Sequence, residues 1–177
     1  MSERANARGL DAGSSMEYPF FHVSFAPNVK LVSTVRRFTA EFYERVLVDQ
    51  EVSEKVALAT HELLENAVAY SVDGETGVRI EVVEDLLTIK TWNRATPDRV
   101  QALKAVIDQM NEEKDADKYY QNMLEKTAYR TDGSGLGLAR IRAEADMRIS
   151  YAIETDRVCI EATTSLNRPL HGRKGAQ

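Results

Sequence analysis

The stretch Glu62–Ala67, which reads Glu-Leu-Leu-Glu-Asn-Ala, decides how this chain of 177 residues is interpreted. It lies within Ser53–Tyr70, where apolar residues recur at helical spacing and neither glycine nor proline occurs. This pattern predicts a helix packed on a core, with Ser53 as its N-cap. Glu62 and Asn66 are four residues apart, so the helix should place their side chains next to each other at the edge of the buried stripe.

A carboxylate and an amide in this arrangement fit a hydrated magnesium ion bound to phosphate. Magnesium keeps most of its waters and takes one or two protein oxygens, so Asn66 alone is a sufficient protein ligand. Glu62 is then the candidate catalytic base, which orients or deprotonates the attacking group. The alternative interpretation is that both are solvated polar residues on an exposed flank of the helix.

The second informative stretch, Gly133–Leu138, alternates glycine with other residues and reads Gly-Ser-Gly-Leu-Gly-Leu. It directly precedes a helix-like run from Leu138 to Met147. Backbone N–H groups in such a loop can converge on an anion at the helix N-terminus, because glycine has no Cβ to obstruct them. The stretch is not a P-loop, since no Lys-Ser or Lys-Thr pair follows its last glycine. It predicts a phosphate cradle, although flexible hairpins and helix starts use the same residue types.

A helix carrying Glu-x-x-x-Asn-Ala, a pair of strands and then Gly-x-Gly-Leu-Gly-Leu resembles one known family. This is the ATP-binding domain shared by sensor histidine kinases, gyrase, Hsp90-type chaperones and small anti-sigma-factor serine kinases. The resemblance covers about residues 28–165. It implies an α+β fold, a two-layer α/β sandwich of the Bergerat type, whose mixed, mostly antiparallel sheet is covered on one face by helices.

The resemblance also implies ATP and Mg2+ as cofactors and assigns roles to particular residues. Glu62 is implied as the base and Asn66 as the magnesium ligand. The residues implied to contact the nucleotide phosphates form one loop: Gly133, Ser134, Gly135, Leu136, Gly137 and Leu138. Arg140, in the first turn after the glycines, would face either a phosphate or solvent.

The chain departs from the family pattern at the second box, Asp-x-Gly-x-Gly, whose aspartate reads the adenine amino group. That box should follow the strand Leu86–Lys90, but Thr91–Pro97 contains neither aspartate nor glycine. Asn93 is the candidate replacement, because its carbonyl oxygen can accept a hydrogen bond from the adenine amine, although a neutral amide is an acceptor of about half the strength of a carboxylate. Trp92 either offers a face for stacking or is a packed strand residue. The chain therefore either holds adenine through other contacts such as Asn93 or has lost adenine recognition.

Composition restricts the class of protein. A net charge of −5 argues against a nucleic-acid binder, and 43% hydrophobic residues are enough for one globular core. No stretch approaches the roughly 20 apolar residues that a membrane span needs, and the polar start of the chain lacks a signal region. A cytoplasmic protein with no membrane or nucleic-acid partner is expected. Cys159, the one cysteine, is expected in a packed strand.

The sequence predicts a single domain at 18–166 between flexible tails at 1–17 and 167–177. Residues 97–132 form a lid-like insertion that would close over the nucleotide, provide a partner surface or be a solvated helical segment. The other predicted elements are a strand at Tyr18–Phe25, a helix at Asn28–Val48, and hairpins at Val78–Val83 with Leu86–Trp92 and at Met147–Ile153 with Val158–Ala162.

Two functions remain from different classes. The first is a small cytoplasmic bacterial regulator that binds Mg-ATP and phosphorylates a serine or threonine of an antagonist protein, as anti-sigma-factor kinases do in partner switching. The second is a non-catalytic pseudo-kinase module that has lost adenine recognition and regulates by protein contact alone. In both, the resemblance implies a protein partner, either an anti-sigma-antagonist (STAS-type) protein or a sigma factor, and a homodimer stays open.

Overall fold

The computed structural model describes residues 20–47, 49–127, 135–154 and 157–166, which form five strands and five helices. The strands are β1 (Phe21–Phe25), β2 (Thr76–Val83), β3 (Leu86–Arg94), β4 (Arg148–Glu154) and β5 (Arg157–Ser165). The helices are α1 (Val29–Leu47), α2 (Gln50–Tyr70), α3 (Pro97–Glu112), α4 (Ala116–Thr127) and α5 (Leu136–Glu144). The tails predicted at 1–17 and 167–177 fall outside the described residues.

The strands form one sheet in the order β1-β2-β3-β5-β4, and every pairing between described strands is antiparallel. Both predicted hairpins are present. The β2–β3 hairpin turns at Glu84 and Asp85, with Glu84 in the left-handed region at φ 55°. The sheet and its helices confirm the predicted α+β class.

The helices cover one face of this sheet. On β2 and β3, Val78, Ile80, Leu87 and Ile89 alternate with more exposed residues and are fully buried, which is the period of a sheet with a core on one side. Tyr43 of α1 ties the two layers together, since its hydroxyl donates to the Ile80 carbonyl oxygen at 2.9 Å. Burial raises the pKa of this hydroxyl, so the donor proton is retained.

The N-terminus of α2 differs from the prediction. The helix begins at Gln50, and the Asp49 side chain accepts a hydrogen bond from the Val52 N–H at 3.1 Å. Ser53 is inside the helix, where its hydroxyl donates to the Asp49 carbonyl oxygen at 2.7 Å. The prediction of Ser53 as the N-cap is therefore wrong, because Asp49 supplies the capping oxygen one turn earlier.

Helix α3, in the region predicted as a lid-like insertion, is anchored to the rest of the molecule. Ile107 and Met110 are fully buried, and the Asn111 side chain donates to the Ile149 carbonyl oxygen at 3.1 Å. Arg142 of α5 binds the C-terminal end of α3 through the carbonyl oxygens of Met110 and Glu113. A solvated insertion does not describe α3, because it contributes to the hydrophobic core.

Candidate functional site

A cavity of about 90 Å3 lies where α2, the end of β3, α3, the start of α5 and β5 meet. A single buried water needs roughly 10–15 Å3 on the same measure, so the cavity admits more than solvent. Most of its walls are apolar, formed by Ala95, Ala102, Leu103, Val106, Leu138, Val158 and Ile160. Its polar side chains are Asn66, Tyr70, Asn93 and Arg99. An apolar slot with a few polar groups suits a planar, partly polar ligand.

Asn66, on the helix α2 that carries the Glu-x-x-x-Asn-Ala motif, lines this cavity. Its side chain is half-buried and has no hydrogen-bond partner among the residues that the structure describes. Tyr70, one turn further along α2, also lines the cavity. The Asn66 amide is therefore available to a ligand. Its oxygen could serve as the single protein ligand of a hydrated cation.

Glu62, one turn before Asn66, is already paired. Its side chain is 13% exposed, and its Oε1 accepts from Arg140 Nη1 at 3.1 Å. Arg140 also donates through Nε to Glu144 Oε2 at 2.9 Å. Burial lowers the pKa of Arg140, but its hydrogen bonds and charge interactions with Glu144 and Glu62 outweigh burial and raise it, so the guanidinium is fully charged. The candidate base is thus one member of an ion pair that the sequence did not predict.

Neighbouring side chains approach the described glycines at the start of α5 closely. Gly135, the N-cap of the helix, has φ +93°, and a Cβ there would lie 2.9 Å from Val106 Cγ1. Gly137 is in the first turn, and a Cβ there would lie 2.5 Å from Glu62 Oε2. Helix α5 begins at Leu136, two residues earlier than predicted. These close approaches place the start of α5 tightly against α2 and α3.

The other predicted loop residues divide into two groups. Leu138 is 1% exposed and lines the cavity, and Leu136 is the first residue of α5. Gly133 and Ser134 lie outside the described residues. The structure therefore brings Gly135 and Leu138 to the same cavity as Asn66.

The end of β3 presents Asn93 to the cavity and Trp92 to the opposite side of the sheet. Asn93 is 5% exposed, and its Nδ2 donates to the Arg94 carbonyl oxygen at 3.2 Å. Trp92 packs against His22 with ring centroids 5.2 Å apart and crowds Gly77. Trp92 is not among the cavity residues. The packed-strand interpretation of Trp92 agrees with the structure, whereas a ligand in the cavity has no access to its ring.

Sequence reasoning missed Arg99. This residue is in the first turn of α3, and its Nη1 donates to the Tyr70 carbonyl oxygen at 3.1 Å. Its guanidinium lies 5.7 Å from the centre of the Tyr70 ring. Pro97 marks the start of a helix and so predicts the position of Arg99 in a first turn, but nothing local in the sequence places that turn against the end of α2.

The described residues contain no group of three or more His, Cys, Asp or Glu side chains able to hold a metal ion. A magnesium site in this part of the chain would therefore depend on Asn66 together with the ligand's own oxygens and water. In the same described part, no helix is both long and apolar enough to cross a bilayer.

Comparison with known proteins agrees with this geometry. Residues 25–163 match the family model described as the histidine kinase-like ATPase domain. Among solved structures, a chain of the SiaB-SiaC complex from Pseudomonas aeruginosa superposes with a TM-score of 0.63 at 18% sequence identity. The match covers 80% of this chain and 88% of that chain, and it confirms the predicted fold. No curated protein matches the sequence.

Proposed function

Because this chain belongs to the histidine kinase-like ATPase domain family, we propose that its cavity binds ATP with Mg2+ and that the protein is a small signalling regulator. One observation carries the proposal. The Asn66 amide, without a partner among the described residues, lines the same cavity as Gly135 at the start of α5, and Glu62 is one turn before Asn66 on α2.

Each part of the nucleotide has residues suited to it. The apolar walls and the Asn93 amide suit a purine base, because the amide oxygen can accept from an amino group. The start of α5 suits phosphate, since backbone N–H groups and the helix dipole favour an anion there. Asn66 would hold the magnesium ion, whose charge neutralises the phosphates.

We further propose that the regulator acts as a kinase on a serine or threonine of a protein partner. Glu62 would accept the proton of the attacking hydroxyl. The partner we propose is an anti-sigma-antagonist (STAS-type) protein or a sigma factor, and the compartment is the cytoplasm. Support for a protein partner comes from the similar fold in the SiaB-SiaC complex, in which that chain is bound to a second protein.

A second candidate is a module that acts by protein contact without catalysis. Two observations favour it. Asn93 stands where the family has an aspartate, and the carboxylate of Glu62 is occupied by Arg140. The two candidates differ in whether phosphate is transferred, which can be measured directly.

Calorimetric titration of Mg-ATP tests the nucleotide site. We expect binding by the wild-type protein and a loss of about 100-fold or more in Asn66→Ala, since disturbing even the outer shell of a metal site costs roughly 10- to 100-fold. Asn122→Ala, the same change on the exposed side of α4, is the matched control and should bind as the wild type does. Binding that is equal in Asn66→Ala and wild type would contradict the assignment of Asn66.

Phosphate transfer from ATP to a candidate antagonist protein tests the kinase. A general base contributes about 10^2- to 10^4-fold to the rate, so Glu62→Gln should lose transfer by that factor while Mg-ATP is still bound. Wild-type protein that binds ATP and the antagonist but transfers no phosphate would support the contact-only module instead.

A further inference from the structure

We propose that Arg140 is a positioning residue with two alternative acceptors, the carboxylate of Glu62 and the terminal phosphates of a nucleotide. In the structure it holds Glu62, and a nucleotide phosphate would draw it away and release the carboxylate to act as a base. This inference rests on the proposed function, because it requires a nucleotide in the cavity.

The first argument is the unequal burial of the two partners. The Glu62 side chain is 13% exposed, whereas that of Arg140 is 41% exposed. The Glu62 carboxylate also lies against Gly137, where a Cβ would be 2.5 Å from its Oε2. Arg140 has a long, half-exposed side chain and is the partner that can change position.

The second argument is the place of Arg140 on α5. Arg140 is one turn beyond Leu136, the first residue of the helix, and the Glu62 carboxylate to which it donates lies against Gly137 in the first turn of α5. An anion at the start of α5 would therefore meet this guanidinium on the same helix. A guanidinium binds phosphate oxygens in a bidentate way, and several phosphate charges attract it more strongly than one carboxylate does.

The third argument is electrostatic. A nucleotide at the start of α5 brings negative charge close to Glu62, and two anions in a poorly solvated place repel each other. Arg140 is the only cation that forms an ion pair with Glu62 within the described ranges of the chain. Because the carboxylate and the phosphates would compete for this one guanidinium, nucleotide binding and the pairing of Glu62 with Arg140 would depend on one another.

The same residue also joins α2 and α5 to α4. Arg140 Nε donates to Glu144, and Glu144 in turn interacts with the hydroxyl of Tyr120 on α4. Burial first, and then the charge of Glu144, raise the pKa of Tyr120, so its hydroxyl stays protonated. Movement of Arg140 would therefore change contacts at α4 as well as at Glu62.

The test is a double-mutant cycle read by calorimetry, with Mg-ATP and adenosine as the two ligands. Arg140→Gln should weaken ATP binding by about tenfold, the usual cost of a lost charged hydrogen bond, and leave adenosine binding unchanged. Glu62→Gln should tighten ATP binding by about fivefold when Arg140 is present, because the competing acceptor is gone. In the Arg140→Gln background, the tightening by Glu62→Gln should be smaller, because only the repulsion between the carboxylate and the phosphates is then relieved.

Three results would overturn the inference. One is an equal loss of ATP and adenosine binding in Arg140→Gln, the second is a tightening by Glu62→Gln that is as large without Arg140 as with it, and the third is ATP binding that Arg140→Gln leaves unchanged. Arg148→Gln, an exposed arginine on β4, controls for loss of charge. If Arg140→Gln does not fold, Arg140→Lys replaces it and should show a smaller loss that is still confined to ATP. Wild-type protein that binds neither ligand refutes the proposed function itself, whereas ATP binding unaffected by Arg140→Gln refutes only this inference.

Discussion

The two ends of the cavity differ in how closely their residues match the family pattern. The α5 end, which we define as Glu62, Asn66, Gly135 and Gly137, has the residues that the family pattern requires. The β3 end, defined as Tyr70, Asn93 and Arg99, lacks the family's aspartate and glycines and has an arginine that no motif indicates. Both ends line or border the same cavity.

The difference lies in what fixes each residue. At the α5 end the strongest constraint is the backbone, because Gly135 has φ +93°, and Gly137 adds the close approach of Glu62 Oε2, 2.5 Å from where a Cβ would lie. At the β3 end the constraints are single side-chain hydrogen bonds, from Asn93 to the Arg94 carbonyl oxygen and from Arg99 to that of Tyr70. Several side chains can satisfy a carbonyl oxygen, whereas a left-handed backbone strongly favours glycine.

The largest effect should come from comparing two glycine substitutions within the α5 end. Gly135→Ala places a side chain in the left-handed region and against Val106 Cγ1, so we expect a loss of about 1–3 kcal/mol in the free energy of unfolding. Gly137→Ala meets only the movable carboxylate of Glu62 and gains helix propensity, so its change should stay within about 1 kcal/mol. Urea denaturation of both variants measures the difference.

Equal losses in the two variants would mean that φ at Gly135 is not the constraint. Steric crowding by neighbouring side chains would then be the only constraint that distinguishes the α5 end from the β3 end. Trimming the neighbour separates these explanations, since Val106→Ala should rescue a steric clash in Gly135→Ala but leave backbone strain in place.

Much of the fold follows from local patterns in the sequence. The apolar stripe of α2 has helical spacing, and apolar residues alternate along β2 and β3. These patterns correctly predict the two hairpins and the placement of Asn66 on a helix. The predicted start of α2 is wrong because Asp49, a residue type that also caps helices, lies four residues before Ser53 and supplies the capping oxygen.

The parts of the site that the sequence did not predict depend on long-range contacts. Glu62 and Arg140 are separated by 78 positions, and Tyr70 and Arg99 by 29. Periodicity assigns each residue to an element and a face, but the partner across the cavity follows only from how α2, α3 and α5 pack. The ion pair between Glu62 and Arg140 therefore depends on how the helices pack and cannot be predicted from either motif alone.

An intermediate effect should follow from restoring the carboxylate at the β3 end. Asn93→Asp replaces a neutral acceptor by a charged one, which is worth about 1 kcal/mol more in a hydrogen bond, or roughly fivefold tighter binding of Mg-ATP. The free protein should lose stability, because Asn93 is 5% exposed and a charge there is poorly solvated. Calorimetry and urea denaturation measure the two effects.

Asn122→Asp on α4 adds the same charge at an exposed position and should change neither quantity. Weaker ATP binding in Asn93→Asp, with the fold intact, would contradict a role for Asn93 at the base. The β3 end would then be a part of the cavity wall without a part in recognition.

The smallest effect should come from Arg99→Ala. Arg99 is exposed, and its contacts with the Tyr70 ring and carbonyl oxygen are worth about 0.5–1 kcal/mol. Removing Arg99 should lower the free energy of unfolding by that amount. It should change the affinities for adenosine and for ATP by the same factor. Lys104→Ala on the same helix serves as the control. A loss confined to ATP would mean that Arg99 reaches the phosphates. The two ends would then not be separate, because a single arginine at the β3 end would serve the α5 end as well.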